Sequence, residues 1–136
     1  MKLLIAIVSV LLLCGCNRAS DTKRVVMGTV KYQGKAIPFG KILLMPDADT
    51  QAPPAGTFIS DGEYSIDAKN GVMFGSYNVE IKGFPAKPGA SSVGPADPEY
   101  MVDRGQFLPA KYNAETELKL IVEPGRATLI HNFDLP

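Results

Sequence analysis

Few side chains in this sequence are equipped for chemistry. Its thiols are Cys14 and Cys16, and its single histidine is His131. A thiol can form a disulfide, cycle between redox states or accept a lipid group. The spacing is not the Cys-x-x-Cys of redox pairs, and both cysteines close an apolar run, so the disulfide and redox readings are the weaker ones. A histidine-dependent hydrolase needs a nucleophile or carboxylate beside its imidazole. His131 falls between Leu129 and Phe133 on the inward parity of a strand, where a core or edge histidine with a satisfied ring is the simpler reading. Asp47, Asp49, Asp61 and Glu63 supply the oxygens calcium wants, but without EF-hand spacing, and an Asp-Gly turn accounts for Asp61. There is no Ser-His-Asp order, phosphate-binding loop or zinc spacing. These residues predict no catalytic group, no metal site and no cofactor.

The two thiols are positioned by the segment before them. Lys2 is the only charge before Arg18, and Leu3 to Leu13 is apolar except for Ser9. A short charged region followed by an apolar run of this length is the pattern of a secretory leader. The run is too short for a membrane-spanning helix, which needs about 20 apolar residues. A buried core helix would show a polar face, and this run has none. Leu13-Cys14-Gly15-Cys16 resembles the lipobox of bacterial lipoproteins, in which small residues precede the cysteine that accepts diacylglycerol. Cys16 fits that role better than Cys14, because small Gly15 precedes Cys16 whereas bulky Leu13 precedes Cys14. The resemblance implies a leader over residues 1–15, lipidation at Cys16 and two or three acyl chains, where one chain alone holds a protein only marginally to a membrane. It also implies an extracytoplasmic, membrane-anchored location. Asn17 stands where inner-membrane retention often uses Asp, which favours the outer membrane over the periplasmic face of the inner one.

Residues 16–24 read as a polar tether, and 25–136 as one domain. The 136 residues carry 14 basic and 14 acidic side chains. A near-neutral chain without a basic patch disfavours nucleic acid as a partner. No cysteine follows Cys16, so no disulfide can staple the domain and its core must hold it together.

The domain reads as strands. Val26, Gly28, Val30 and Tyr32 alternate with Met27, Thr29 and Lys31, a period of two. Gln33-Gly34-Lys35 is a turn. Phe39 to Met45 is a second strand, with Ile42 and Leu44 on one side and Leu43 and Met45 on the other; both sides are apolar, which suits a strand covered on both faces. Asp61-Gly62 between Thr57–Ser60 and Glu63–Ile66 is a hairpin signal, with Tyr64 and Ile66 inward. Ser76 to Lys82 is the cleanest alternation, with Tyr77, Val79 and Ile81 on one face. Residues 83–114 hold Pro85, Pro88, Pro95, Pro98 and Pro109 among several glycines, a density no helix survives. Tyr100, Met101, Phe107, Leu108 and Tyr112 are apolar anchors there. Leu118, Leu120 and Val122, then Pro124-Gly125, then Leu129, His131, Phe133 and Leu135, predict two closing strands. About seven short strands with regular turns predict an all-β sandwich, with an open barrel as the alternative.

In order and spacing, these motifs resemble carboxypeptidase regulatory-like domains. Val26-Met27-Gly28-Thr29-Val30, Gly34 to Pro38 and Ile42 to Pro46 look like their opening. Ser60 to Ile66 looks like their central hairpin, and Gly75-Ser76-Tyr77-Asn78-Val79 like their later Gly-x-Tyr strand. Pro109 to Asn113 and Asn132 to Leu135 are similar to the end of small secreted bacterial lipoproteins built on this domain. The resemblance implies a prealbumin-like Greek-key sandwich and no particular activity. The hydroxyisourate-hydrolysing branch of that fold uses several histidines and a Tyr-Arg-Gly-Ser type tail; a single histidine and an Asn-Phe-Asp-Leu-Pro end depart from it. Two residue roles follow from the pattern. Gly28, on an inward row, allows a facing aromatic or backbone to come close. Tyr77 is either a tyrosine whose hydroxyl bonds back to the chain or a plain core tyrosine.

The expected function is therefore a non-enzymatic structural or protein-interaction role at the cell envelope. The expected partners are the membrane, through the covalent lipid, and an envelope protein or polysaccharide. The alternative is a carbohydrate- or peptide-binding accessory module, with Tyr100, Phe107 and Tyr112 as possible ligand contacts. A hydrolase ranks below both. Loops 47–56 and 83–108 are the expected contact surfaces.

Overall fold

A computed structural model of the protein describes residues 23–67, 69, 71–86 and 105–136. The strands are β1 (Lys23–Tyr32), β2 (Lys35–Ala36), β3 (Phe39–Pro46), β4 (Ala55–Ser60), β5 (Glu63–Ile66), β6 (Val72–Met73), β7 (Gly75–Phe84), β8 (Lys119–Val122), β9 (Thr128–Ile130) and β10 (Phe133–Leu135), with one 3-10 turn at Ala110–Tyr112. Hydrogen-bonded neighbours run in the order β10-β1-β5-β4-β3-β7-β8, and β2, β6 and β9 also pair with β1. The sheet curls as a half-barrel. The all-β class predicted from the alternation is present, with seven of the ten strands on one curled path.

The curl encloses the apolar rows that the period of two marks out. Val26, Val30, Ile42, Leu44, Ile59, Val79 and Ile81 are fully buried, with Tyr64, Ile66, Tyr77, Leu120 and Val122 nearly so. Burying a side chain of this size contributes roughly 1.5–3 kcal/mol, which is how a domain without disulfides can be held. On β3 the two apolar sides are unequal. Ile42 and Leu44 are in the core and Leu43 and Met45 are half-buried. On that outward side Phe39 stacks on Phe58 at 6.0 Å and lies 6.2 Å from Phe84.

The β4–β5 hairpin closes as Asp-Gly turns do. Asp61 and Gly62 have φ of 49° and 80°, both positive, and Ser60 pairs with Glu63 across the two-residue loop. That geometry is open to Gly and tolerated by Asp, which explains the dipeptide. Lys23 and Arg24, read from the sequence as the end of the tether, pair with Met73 and Val72.

The end of the chain departs from the sequence reading. Leu129 to Leu135 was expected to form one strand, but it is broken into β9 and β10 at His131-Asn132. Both run parallel to β1, where every other pair is antiparallel. The register is the same on both sides of the break, since Met27 pairs with Ile130 and Val30 with Phe133. The interruption is therefore local.

Tyr77 bonds back to the chain. Its hydroxyl donates to the Met73 carbonyl at 2.9 Å, and the residue is buried. Burial raises its pKa above the ordinary phenol value, so it remains a neutral donor. This bond ties β7 to the end of β6. Tyr77→Phe is expected to destabilise the domain by about 1 kcal/mol, because it leaves the Met73 carbonyl without this partner. Urea denaturation of the two proteins measures it, and an unchanged midpoint would contradict the assignment.

Candidate functional site

The second half of the proline-rich stretch folds back onto the sheet. Leu108 and Tyr112 are buried. Asn113 is also buried; its Nδ2 donates to the Pro109 carbonyl at 3.1 Å, and its Oδ1 accepts from the Ala114 amide at 2.9 Å. The Phe107 amide donates to the Gly83 carbonyl at 2.9 Å. Phe107 and Tyr112, two of the expected ligand contacts, meet through Tyr32, whose ring centroid lies 6.1 Å from one and 6.2 Å from the other. The Tyr112 hydroxyl donates to the Pro136 carbonyl at 2.7 Å, so that side chain serves the core and the chain end. Phe107 is 42% exposed. Lys111 places its ammonium 4.7 Å from the Tyr112 ring centroid. Tyr100 and Cys16 lie outside the described residues, as does most of loop 83–108.

Loop 47–56 is fastened to the sheet. Asp47 Oδ1 accepts from the Asp49 amide at 3.2 Å and the Thr50 hydroxyl at 3.0 Å; the Thr50 oxygen in turn accepts from the Ser76 amide at 2.9 Å. Asp47 thus shapes its own loop, and Asp61 the hairpin turn. Among the described residues no group of three or more His, Cys, Asp or Glu side chains is placed to hold a metal ion.

At the Gly28 crossing the fold leaves no room for a side chain. Gly28 pairs with Tyr64 on β5, and a Cβ built on Gly28 would stand 1.9 Å from the His131 carbonyl oxygen. Tyr64 reaches past the bare glycine to donate to that carbonyl at 2.8 Å. In an unbroken parallel ladder the Thr29 amide would donate to the His131 carbonyl. Here the Asn132 side chain takes that place: Thr29 donates to Asn132 Oδ1 at 3.0 Å, while the His131 amide still donates to the Met27 carbonyl at 2.9 Å. Burial raises the Tyr64 pKa, so its hydroxyl stays protonated for this bond. The sequence reading placed an aromatic or backbone group against Gly28, and both are there. The His131 ring packs edge-on against Phe133, 4.6 Å between centroids.

Beside this crossing lies an open concavity of about 590 Å³. Met27, Thr29, Phe58, Glu63, Ile130 and Asn132 line it, with Ser60, Asp61 and Ser65 at the hairpin. Met27 and Ile130 are neighbours in register and are 37% and 70% exposed. The lining includes two carboxylates and no basic side chain. Sequence reasoning passed over Met27 and Ile130. The available signal was an apolar residue on the outward row of each strand, where solvent favours a polar one.

No known protein family and no curated protein matches the chain.

Gly28→Ala is expected to destabilise the domain by at least about 2 kcal/mol, because the new methyl must displace main chain rather than a flexible side chain. Amide hydrogen exchange should show Thr29 and His131 losing protection first. Wild-type protection at both positions would contradict the crossing as described.

Proposed function

We propose that the protein is a lipid-anchored, non-enzymatic component of the bacterial cell envelope. On this reading, residues 1–15 are removed, Cys16 carries the lipid, and the folded part works outside the cytoplasm in a structural or protein-interaction role without a cofactor. The address rests on the apolar leader ending at Leu13-Cys14-Gly15-Cys16. The interaction role rests on the concavity, where the exposed Met27–Ile130 pair is flanked by Asp61, Glu63, Ser60 and Asn132 on the sheet. An apolar centre with a polar rim is the usual anatomy of a contact patch. Its carboxylates favour a partner that brings basic or hydrogen-bond-donating groups. Support for the prealbumin-like Greek-key arrangement comes from the strand order β1-β5-β4-β3, in which three successive strands return to lie beside the first.

A second reading, a carbohydrate- or peptide-binding module, is favoured by one observation. Phe107 stands partly exposed beside Tyr32, whose ring also meets Tyr112, and an aromatic face suits a sugar ring or an apolar peptide side chain.

Two measurements test these readings. Metabolic labelling with a palmitate analogue should mark the wild-type chain and a Cys14→Ser variant. It should not mark Cys16→Ser, which should leave the membrane fraction. An unmodified Cys16 in the mature protein would refute the anchored reading. For the second reading, Phe107→Ala should weaken binding to isolated envelope polysaccharide by about tenfold, the scale of one lost aromatic contact. Unaltered binding would remove the aromatic end from consideration.

A further inference from the structure

Among the described residues β8 is last in the strand order, with a neighbour on one edge only. Hydrogen-bond parity fixes which groups its other edge presents. The Val79 amide donates to the Leu118 carbonyl at 2.9 Å, so Leu118, Leu120 and Val122 direct main-chain groups toward β7. The N–H and C=O of Lys119, Ile121 and Glu123 therefore point away from β7. The side chains of these three residues share the outward face and are exposed. Ile121 is 65% exposed, an unusual apolar surface for an edge strand.

We infer that this edge is an interface for a second copy of the chain, with two β8 strands pairing antiparallel about a two-fold axis at Ile121. The axis sets Ile121 against Ile121 of the other copy and sets Lys119 against the other copy's Glu123, twice. All three positions are hydrogen-bonded pairs by the parity above, so the main chain and the side chains ask for the same register. Neighbouring registers are penalised. An axis at Leu120 brings Glu123 against Glu117 and Lys119 against Ile121; an axis at Val122 brings Ile121 against Glu123. A lone lysine on an edge commonly guards against pairing, but this two-fold delivers it to a carboxylate. In the single chain the Lys119 ammonium donates to Asn78 Oδ1 at 3.1 Å, a neutral amide that leaves its charge to be met by Glu123.

Sedimentation equilibrium of the full chain in detergent tests the proposal through charge exchange. The wild type should self-associate to a dimer. Lys119→Glu and Glu123→Lys each set like charges opposite at both ends of the ladder, and each should weaken association by about tenfold or more. The double variant Lys119→Glu/Glu123→Lys restores both pairs and should dimerise as the wild type does. Circular dichroism of each variant separates lost pairing from lost folding. A wild type that stays monomeric at every soluble concentration overturns the interface. So does a dimer that ignores the single changes, or one that the double change fails to restore.

Discussion

The fold depends on one close approach, the His131 carbonyl lying against Gly28. The peptide after His131 turns its oxygen inward to Tyr64, and that turn breaks the last strand in two. Any side chain at position 28 would occupy the place of this oxygen. Two strands and a link meet there: Tyr64 comes from β5, Gly28 from β1 and His131 from the link between β9 and β10. A single hydroxyl thus connects strands on both sides of β1, across a residue that offers no side chain of its own. The break costs the ladder one main-chain acceptor, and Asn132 returns it through its amide oxygen. Buried main-chain groups need such partners, since leaving one unmet costs about as much as a whole hydrogen bond.

The same economy of local replacements recurs elsewhere. Thr50 holds the loop before β4 onto Ser76, and Asn113 holds the segment after Gly105 in place. The Thr116 hydroxyl donates to the Val79 carbonyl at 2.6 Å. In each case a short polar side chain satisfies main chain where the strands stop pairing. The described segments around Thr50, Asn113 and Thr116 are therefore fastened to the sheet at particular residues.

Much of this was legible from residue order. Alternation located the inward rows of β1, β5, β7 and β8, because burial of one face imposes a period of two; on β3, apolar on both sides, it did not tell the inward row from the outward one. Asp61-Gly62 located a hairpin, because its turn demands positive φ at both positions. The missing side chain of Gly28 pointed to a close neighbour. What the sequence hid was non-local. Nothing in Leu129 to Leu135 marks a parallel partner or a break at His131, since both arise from contact with a strand a hundred positions earlier. Nor does local pattern show β2 and β6, two-residue strands that exist only as partners of β1. The concavity was hidden for the same reason. Met27 and Ile130 become neighbours only once β9 lies along β1, whereas Phe107 and Tyr112 could be singled out as aromatics in a loop. Their meeting through Tyr32 could not.

The parallel pairing of the first and last strands has a mechanical consequence. Lys23 begins β1 at one pole of the domain, and Leu135 finishes beside Tyr32 at the other. The ten residues of β1 separate the two poles by roughly 30 Å at the rise of an extended strand. Tension applied between the two ends would run along β1 and its parallel neighbours, loading their hydrogen bonds side by side in shear. Such bonds must rupture together, whereas antiparallel strands pulled from one end peel apart one bond at a time. Pulled at Lys23 and Leu135, the domain would resist through bonds that share the load instead of parting in turn.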